Sequence, residues 1–378
     1  MMHTKTNDRA RGLAFGGLLL TMLLLLGCDD VDFRPEAIGP EGQINVVIDS
    51  VLWAGPVGDA LRDQLGGLIL TLPSREPVFD LKQTTIVSQK TFDRVKDYKN
   101  VVFVAPLSDT TNEARYISSI LSEEAKTAIL DGGTATVPRS DLWRRRQQVF
   151  YVTASTPENL VTAIEENGPG IVYQFNEISR RRLQRDMFDR GRQPEIETYL
   201  MEKHHFAVHA QHDYVVAMDT SNFVWLRRTL RDTWRSFFIY YEENADPSKL
   251  SPEWIYNARD ALTKRYVKGT SGGWIEIDRR RPLESEEINF KDRYAYETRG
   301  LWHMVGEENG EKIQYGMGGA FLTYAFYDQP SARLYLIDGM VFAPNFPKRE
   351  FLRQMEVIAY TFRTRQEVEQ AEQVAARE

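Results

Sequence analysis

Apolar and polar positions follow two different rhythms along this chain, and the change falls near its middle. In the first half, short β-branched runs alternate with segments of helical spacing. Val46-Val47-Ile48, Val101-Val102-Phe103-Val104 and Val149-Phe150-Tyr151-Val152 have no polar face, so each predicts a strand buried on both sides. Val57, Ala60, Leu61 and Leu65 recur at helical spacing and stop at Gly66-Gly67. Val78 to Ile86 reads as extended, and Ser88 is placed to cap a helix carrying Phe92 and Val95. Ser122 to Leu130 predicts a further helix. Thr156-Pro157-Glu158 opens another, with Leu160, Val161 and Ile164 inward, which Asn167-Gly168 is expected to end. A second, more charged helix is expected from Gly170 to Arg190. Strands alternating with helices in this way make an α/β layer.

Gly191-Arg192-Gln193-Pro194 interrupts that rhythm. Beyond it, Phe206-Ala207-Val208, Val215 to Met218, Phe223 to Leu226 and Phe237 to Tyr240 are closely spaced strands. Ser251-Pro252 begins a helix with Trp254, Ile255, Ala258, Leu262 and Tyr266 on one face, and Trp274 to Ile277 is extended again. Ala320 to Tyr327 and Arg333 to Phe342 form a hairpin about Asp328-Gln329-Pro330-Ser331. Phe351, Leu352, Met355, Ile358, Ala359 and Phe362 stripe a last helix. The expected fold class is therefore α+β: an N-terminal α/β layer over residues 44–192, then a mainly antiparallel sheet with flanking helices over residues 193–364. Residues 365–378 read as a polar tail.

The apolar run Leu18 to Leu26 changes the picture, because it sets a compartment. Lys5, Arg9 and Arg11 precede it and Gly27 follows, the pattern of a secretory leader over residues 1–27. The run is shorter than the roughly 20 residues a spanning helix needs. Leu25-Leu26-Gly27-Cys28 resembles a bacterial lipobox, in which the cysteine is acylated and becomes the mature N-terminus. Cys28 is the chain's one cysteine, so its acylation leaves no thiol for a disulfide, thiolate catalysis or a cysteine metal site. The expected anchor is the lipid on Cys28, in the outer membrane, on either its periplasmic or its surface face. Residues 28–43, polar and holding Pro35, Gly39, Pro40 and Gly42, read as a flexible tether. A formal charge of -7 argues against nucleic acid as a partner. A hydrophobic fraction of 42% with 11% aromatic residues excludes a disordered chain.

Several motifs together carry a family resemblance: Phe223-Val224-Trp225-Leu226-Arg227, Arg259-Asp260, Arg299-Gly300-Leu301-Trp302, Met317-Gly318-Gly319-Ala320-Phe321 and Gly339 to Pro344. Upstream, Val47-Ile48-Asp49, Leu52-Trp53 and Val57-Gly58-Asp59 fit the same pattern. From about Ile44 to Arg363 the chain resembles the lipoproteins of the Bacteroidota called domain of unknown function 4837. The resemblance implies an envelope lipoprotein and supplies no activity, substrate or catalytic residue.

Candidate chemistry is thin. His204, His205, His209 and His212 cluster, but on an extended strand they would point to both faces, and no cysteine completes a metal shell. No Gly-x-Ser-x-Gly elbow occurs, and Thr270-Ser271-Gly272-Gly273 lacks the spacing of a phosphate loop. The triplets Arg144-Arg145-Arg146, Arg180-Arg181-Arg182 and Arg279-Arg280-Arg281 read as solvated faces paired with nearby acids, the last with Glu284, Glu286 and Glu287. No catalytic residue, metal or cofactor is expected. The expected site lies between Arg293 and Pro344, where Arg299 offers two hydrogen bonds to an anion and Trp302 a stacking surface. Gly318 and Gly319 there suggest a bulge or a close approach. The alternatives are that Trp302 is core and that Arg299 bridges to Glu297 or Asp338. The function expected is a non-catalytic envelope module that binds a protein or a glycan; the other class is an enzyme acting on an envelope polymer.

Overall fold

A computed structural model describes residues 32–269 and 272–377. Cys28 and the leader therefore lie outside the described residues, as do Thr270 and Ser271 of the glycine loop.

The first half is a five-stranded sheet of order β2-β1-β3-β5-β4, formed by β1 (Gln43–Val47), β2 (Asp80–Thr84), β3 (Asn100–Pro106), β4 (Thr134–Ser140) and β5 (Gln148–Ala154). β1, β2, β3 and β5 run parallel, and β4 joins the edge antiparallel. β3 and β5 are buried at every position, as their unbroken apolar runs require. Helices α1 (Ser50–Ala54), α2 (Pro56–Leu65), α3 (Gln89–Val95), α4 (Asn112–Ile120) and α5 (Glu123–Leu130) connect them. Asp49, Ser88, Thr111 and Ser122 cap four of the five with a side-chain oxygen.

Three expectations about this half need correction. The two helices expected after Thr156 are one helix, α6 (Pro157–Phe188), of 32 residues with Pro169 inside it. Proline removes one hydrogen bond but does not end this helix, because Ile164, Gly168 and Ile171 on the inner face of the turns around it are buried against the sheet and α2. Gly168 marks that contact, since a Cβ there would lie 2.6 Å from Cβ of Gln64. Two elements, α4 and β4, were not expected; β4 is half exposed and gives no apolar run. The segment from Asp32 to Gly42 is docked rather than free: Ile38 bridges to Tyr98, Ala37 is buried, and Glu41 is buried against Lys99 and Arg182.

The second half is an antiparallel sheet of order β10-β12-β13-β14-β9-β8-β7, with β11 also paired to β12. Its strands are β7 (Val215–Asp219), β8 (Phe223–Thr229), β9 (Trp234–Glu242), β10 (Trp274–Ile277), β11 (Glu284–Phe290), β12 (Arg293–Glu308), β13 (Glu311–Asp328) and β14 (Arg333–Phe342). A short β6 (Phe206–Ala207) pairs with β15 (Arg363–Thr364). Helix α7 (Pro194–His204) precedes β6, and α8 (Pro252–Tyr266), α9 (Arg349–Tyr360) and α10 (Arg365–Ala375) complete the half. The expected polar tail thus begins as α10, started by a Thr364–Glu367 capping box.

Each face of this sheet has its own cover. Val224, Leu226, Leu301, Leu322 and Ile337 face α9, and the same core takes in Leu72 and Met187 from the first half. Phe223, Trp225, Trp302, Phe321 and Met340 face the other way, toward Ile255 and Leu262 of α8. Gly339 lies beneath α9, where a Cβ would meet that of Met355 at 2.6 Å. The mixed sheet followed by an antiparallel one is the α+β architecture the two rhythms predict.

Candidate functional site

Helix α8 covers only part of its face. It ends at Tyr266, and the chain turns through Val267 and Lys268 into β10, while β8, β9, β13 and β14 continue beyond. That leaves an open pocket of about 710 Å³. Trp225, Trp234, Met304, Met317 and Phe342 line it, all on the α8 side of the sheet. Alternation puts Trp225 and Arg227 on the same face of β8, and Arg227 lies toward the strand's exposed end. The Trp225 indole donates to Ser236 Oγ on β9, which fixes the ring. Trp234 meets the buried Trp302 edge to face, with ring centres 5.8 Å apart.

The rim is polar and mostly cationic: Arg227, Arg231 and Lys268, with Asp232 as the one carboxylate among the described lining residues. Among the described residues no acid lies within ion-pair distance of any of these three cations. Several arginines elsewhere are paired, Arg144 with Asp97, Arg146 with Asp186, Arg279 with Asp260 and Arg280 with Asp278, while others, such as Arg94, Arg115 and Arg281, have no acid in ion-pair range among the described residues. The acids that take the last triplet are thus Asp260 and Asp278, not the expected Glu284, Glu286 and Glu287.

Residues 193–361 match the family described as Domain of unknown function (DUF4837). The C-terminal half of this chain carries the match to DUF4837. Residues 37–188 match a different family, Domain of unknown function (DUF8532), so the resemblance traced upstream to Ile44 extends further than the DUF4837 match. No curated protein matches. Among solved structures, the Saccharomyces cerevisiae Ran-binding protein Mog1p is 10% identical, covering 43% of this chain and 90% of its own, with a TM-score of 0.29. Human StAR-related lipid transfer protein 5 is also 10% identical, covering 51% and 98% respectively, with a TM-score of 0.16.

Within the DUF4837 half, Trp302, Gly318 and Gly319 of the four expected site residues meet across β12 and β13, and Arg299 does not join them. Arg299 and Trp302 are three apart on β12, so strand alternation sends them to opposite faces. Trp302 is 1% exposed, in the core beneath the pocket floor, and its indole nitrogen has no partner among the described residues. Gly318 and Gly319 allow close approach: a Cβ on Gly319 would lie 1.9 Å from the Val341 carbonyl oxygen, and one on Gly318 would lie 2.7 Å from that of Trp302. The β12–β13 register slips just beyond, between His303 and Val305, and Gly316 takes a positive φ of 64°. This irregular stretch turns Tyr315 and Met317 toward the pocket.

Arg299 lies on the α9 face in a charged chain that ties the two halves. Its Nε donates to Glu297 at 2.5 Å, and Glu356 of α9 is 3.7 Å away. Glu356 also meets Arg180 of α6 at 3.2 Å, and that guanidinium lies 3.4 Å from the centre of the Tyr360 ring. Burial raises the Glu356 carboxyl, while Arg299 and the Tyr324 hydroxyl hold Glu297 below its ordinary range despite its burial. Of the two bridges weighed for Arg299, Glu297 is the one formed. Asp338 is on the other face, fully buried with Arg259 at 2.7 Å.

The histidines do not lie on one strand. His204 closes α7 and His205 is its left-handed cap, with φ 65°. His204 is held between Asp219 at 2.9 Å and the Tyr241 hydroxyl at 3.0 Å, and burial lowers its pKa. Burial lowers that of His209 to about 4. Among the described residues no three His, Cys, Asp or Glu side chains are placed to share a metal ion.

The residues that line the pocket were mostly missed. The sequence alone gives Trp225 and Arg227 as strand and does not single out Trp234 or Met304. The available signal was Trp225 and Arg227 at a spacing of two on a predicted strand, which puts an aromatic ring and a cation on one face.

Proposed function

We propose that this chain is a lipoprotein of the cell envelope, anchored in the outer membrane through acyl chains on Cys28, whose DUF4837 half is a non-catalytic binding module. The leader pattern up to Gly27-Cys28 supports the anchor. No helix among the described residues is long and apolar enough to cross a membrane, so acyl chains would supply the hold. The pocket carries the binding reading. It has the size and the aromatic and methionine lining of a small-ligand site, which typically spans about 300–1,000 Å³. Asp232 alone among its lining residues is acidic, whereas the usual glycoside hydrolysis needs two carboxyls about 5–10 Å apart. The pocket therefore favours binding over chemistry on an envelope polymer.

Two measurements test the two parts. Metabolic labelling with an alkyne fatty acid should mark the wild-type chain and not Cys28→Ala; equal labelling rejects the anchor. Envelope fractions retained by the immobilised full chain should lose at least one retained component on Trp234→Ala with folding intact. Identical retention by the two forms rejects the pocket as the site.

A further inference from the structure

We propose that the pocket takes an anionic amphiphile, a small molecule with an acyl or similar apolar body and one carboxylate or phosphate head. This rests on the pocket being a binding site at all, and it deepens that reading by naming the ligand class.

The pocket keeps its apolar and its charged residues apart. The floor, made of Trp225, Trp234, Met304, Met317 and Phe342, is apolar, and the Trp225 indole N–H already donates to Ser236. A saccharide carries hydroxyls on every edge, and burying one against this floor would leave hydrogen-bonding groups without partners. An acyl body has no such requirement. Methionine side chains, here Met304 and Met317, adapt to irregular apolar shapes and suit a flexible chain.

Charge lies at the rim alone. Arg227, Arg231 and Lys268 line the mouth with Asp232, an excess of cations on a chain whose formal charge is -7. All three cations are exposed and, among the described residues, have no acid in ion-pair range. Cations left unpaired around an apolar cavity complement a ligand with one anionic end and an apolar remainder. Arginine also offers the forked donor geometry that carboxylate and phosphate accept.

The test uses the full chain in nanodiscs of neutral phospholipid, with 11-(dansylamino)undecanoic acid as the fluorescent probe. Energy transfer from tryptophan reports the bound fraction. The variant Arg227→Gln/Arg231→Gln/Lys268→Gln, which alters exposed side chains only, measures partition into lipid. Dodecanoate and dodecyl phosphate should displace the probe, their relative strength distinguishing the two head groups. Dodecanol should be at least about tenfold weaker, and each single cation variant should weaken probe binding by about three- to tenfold, more at low salt than high. Inorganic phosphate alone should not compete.

Equal displacement by dodecanol and dodecyl phosphate, or unchanged probe binding by the triple variant with its melting temperature retained, would overturn the proposal. Displacement by a neutral oligosaccharide, with dodecyl phosphate inert, would overturn the ligand class and leave the binding pocket standing. No saturable binding of probe, saccharide or peptide would reject both.

Discussion

Arg259 shows what single side chains do on the α8 face of the sheet. It is completely buried, with its guanidinium 3.8 Å from the centre of the Phe321 ring and its Nε bonded to Asp338. Thr323 adds a second bond to the same carboxylate oxygen, at 2.6 Å. Removing one partner strands the other charge, so Arg259→Met and Asp338→Leu should each cost about 3–5 kcal/mol in urea unfolding. The double substitution should recover most of that loss. Trp302, in the hydrophobic core on the same face of the sheet, is expected to lose about 3–5 kcal/mol on Trp302→Ala through the cavity it leaves. His209 supplies a pH dependence. Its folded pKa of about 4 lies below the ordinary value near 6.5, so the unfolded chain takes up the proton first. The stability this contributes is complete above pH 6.5 and is lost as pH falls toward 4, at most about 3 kcal/mol. Replacing His209 with Gln should flatten the unfolding free energy across that window, and an unchanged slope would contradict the assignment. At this scale the sequence showed that arginines and an aromatic belong to the C-terminal sheet, but not that Arg299 and Trp302 face opposite ways. The error was to read nearness in sequence as nearness in space across an odd spacing on a strand.

At the scale of elements, the legible ones were those with an unbroken apolar run or a capped amphipathic stripe. β1, β3, β5, α8 and α9 all follow from pattern alone. β11 and the first part of β12 did not, because Glu284, Glu286 and Glu287 lie on a strand with only one of its seven positions buried. The pocket could not be read either, since it depends on where α8 stops relative to four strands that come from distant parts of the chain. Gly319 suggests a bulge or a close approach, and its near neighbour is the β14 backbone at Val341. Gly319→Ala should therefore push β13 from β14 and cost about 3 kcal/mol, with loss of the β-sheet signal in circular dichroism on mild heating. The start of α9 shows the opposite dependence, on a residue far away in sequence. Lys348 gives that helix no side-chain cap, and Glu76 from the first half accepts from the backbone N–H of Lys348 at 2.9 Å and of Arg349 at 2.8 Å. A carboxylate there also meets the positive end of the helix dipole. Glu76→Ala should cost about 1–2 kcal/mol, as loss of a cap does, and should raise amide exchange in the first turn of α9.

For the whole molecule, the two family matches meet in a built interface. Glu76 caps α9, Arg353 lies over Phe79 at 4.7 Å, and Arg180 joins α6 to Glu356, so the N-terminal half braces the α9 face of the sheet. The α8 face is left to carry the pocket, on the side away from that brace. This division supports a reading in which the first half holds and the second half binds. The most direct test places a benzoyl-phenylalanine photocrosslinker at position 315 of the full chain in living cells. Tyr315 lines the pocket and is 41% exposed; position 173, on α6, is the control, because Tyr173 is 65% exposed and lies outside the pocket lining. A discrete adduct is expected from 315, abolished by Trp234→Ala in the same chain, and none from 173. No adduct at 315, or equal adducts at 315 and 173, would contradict that reading.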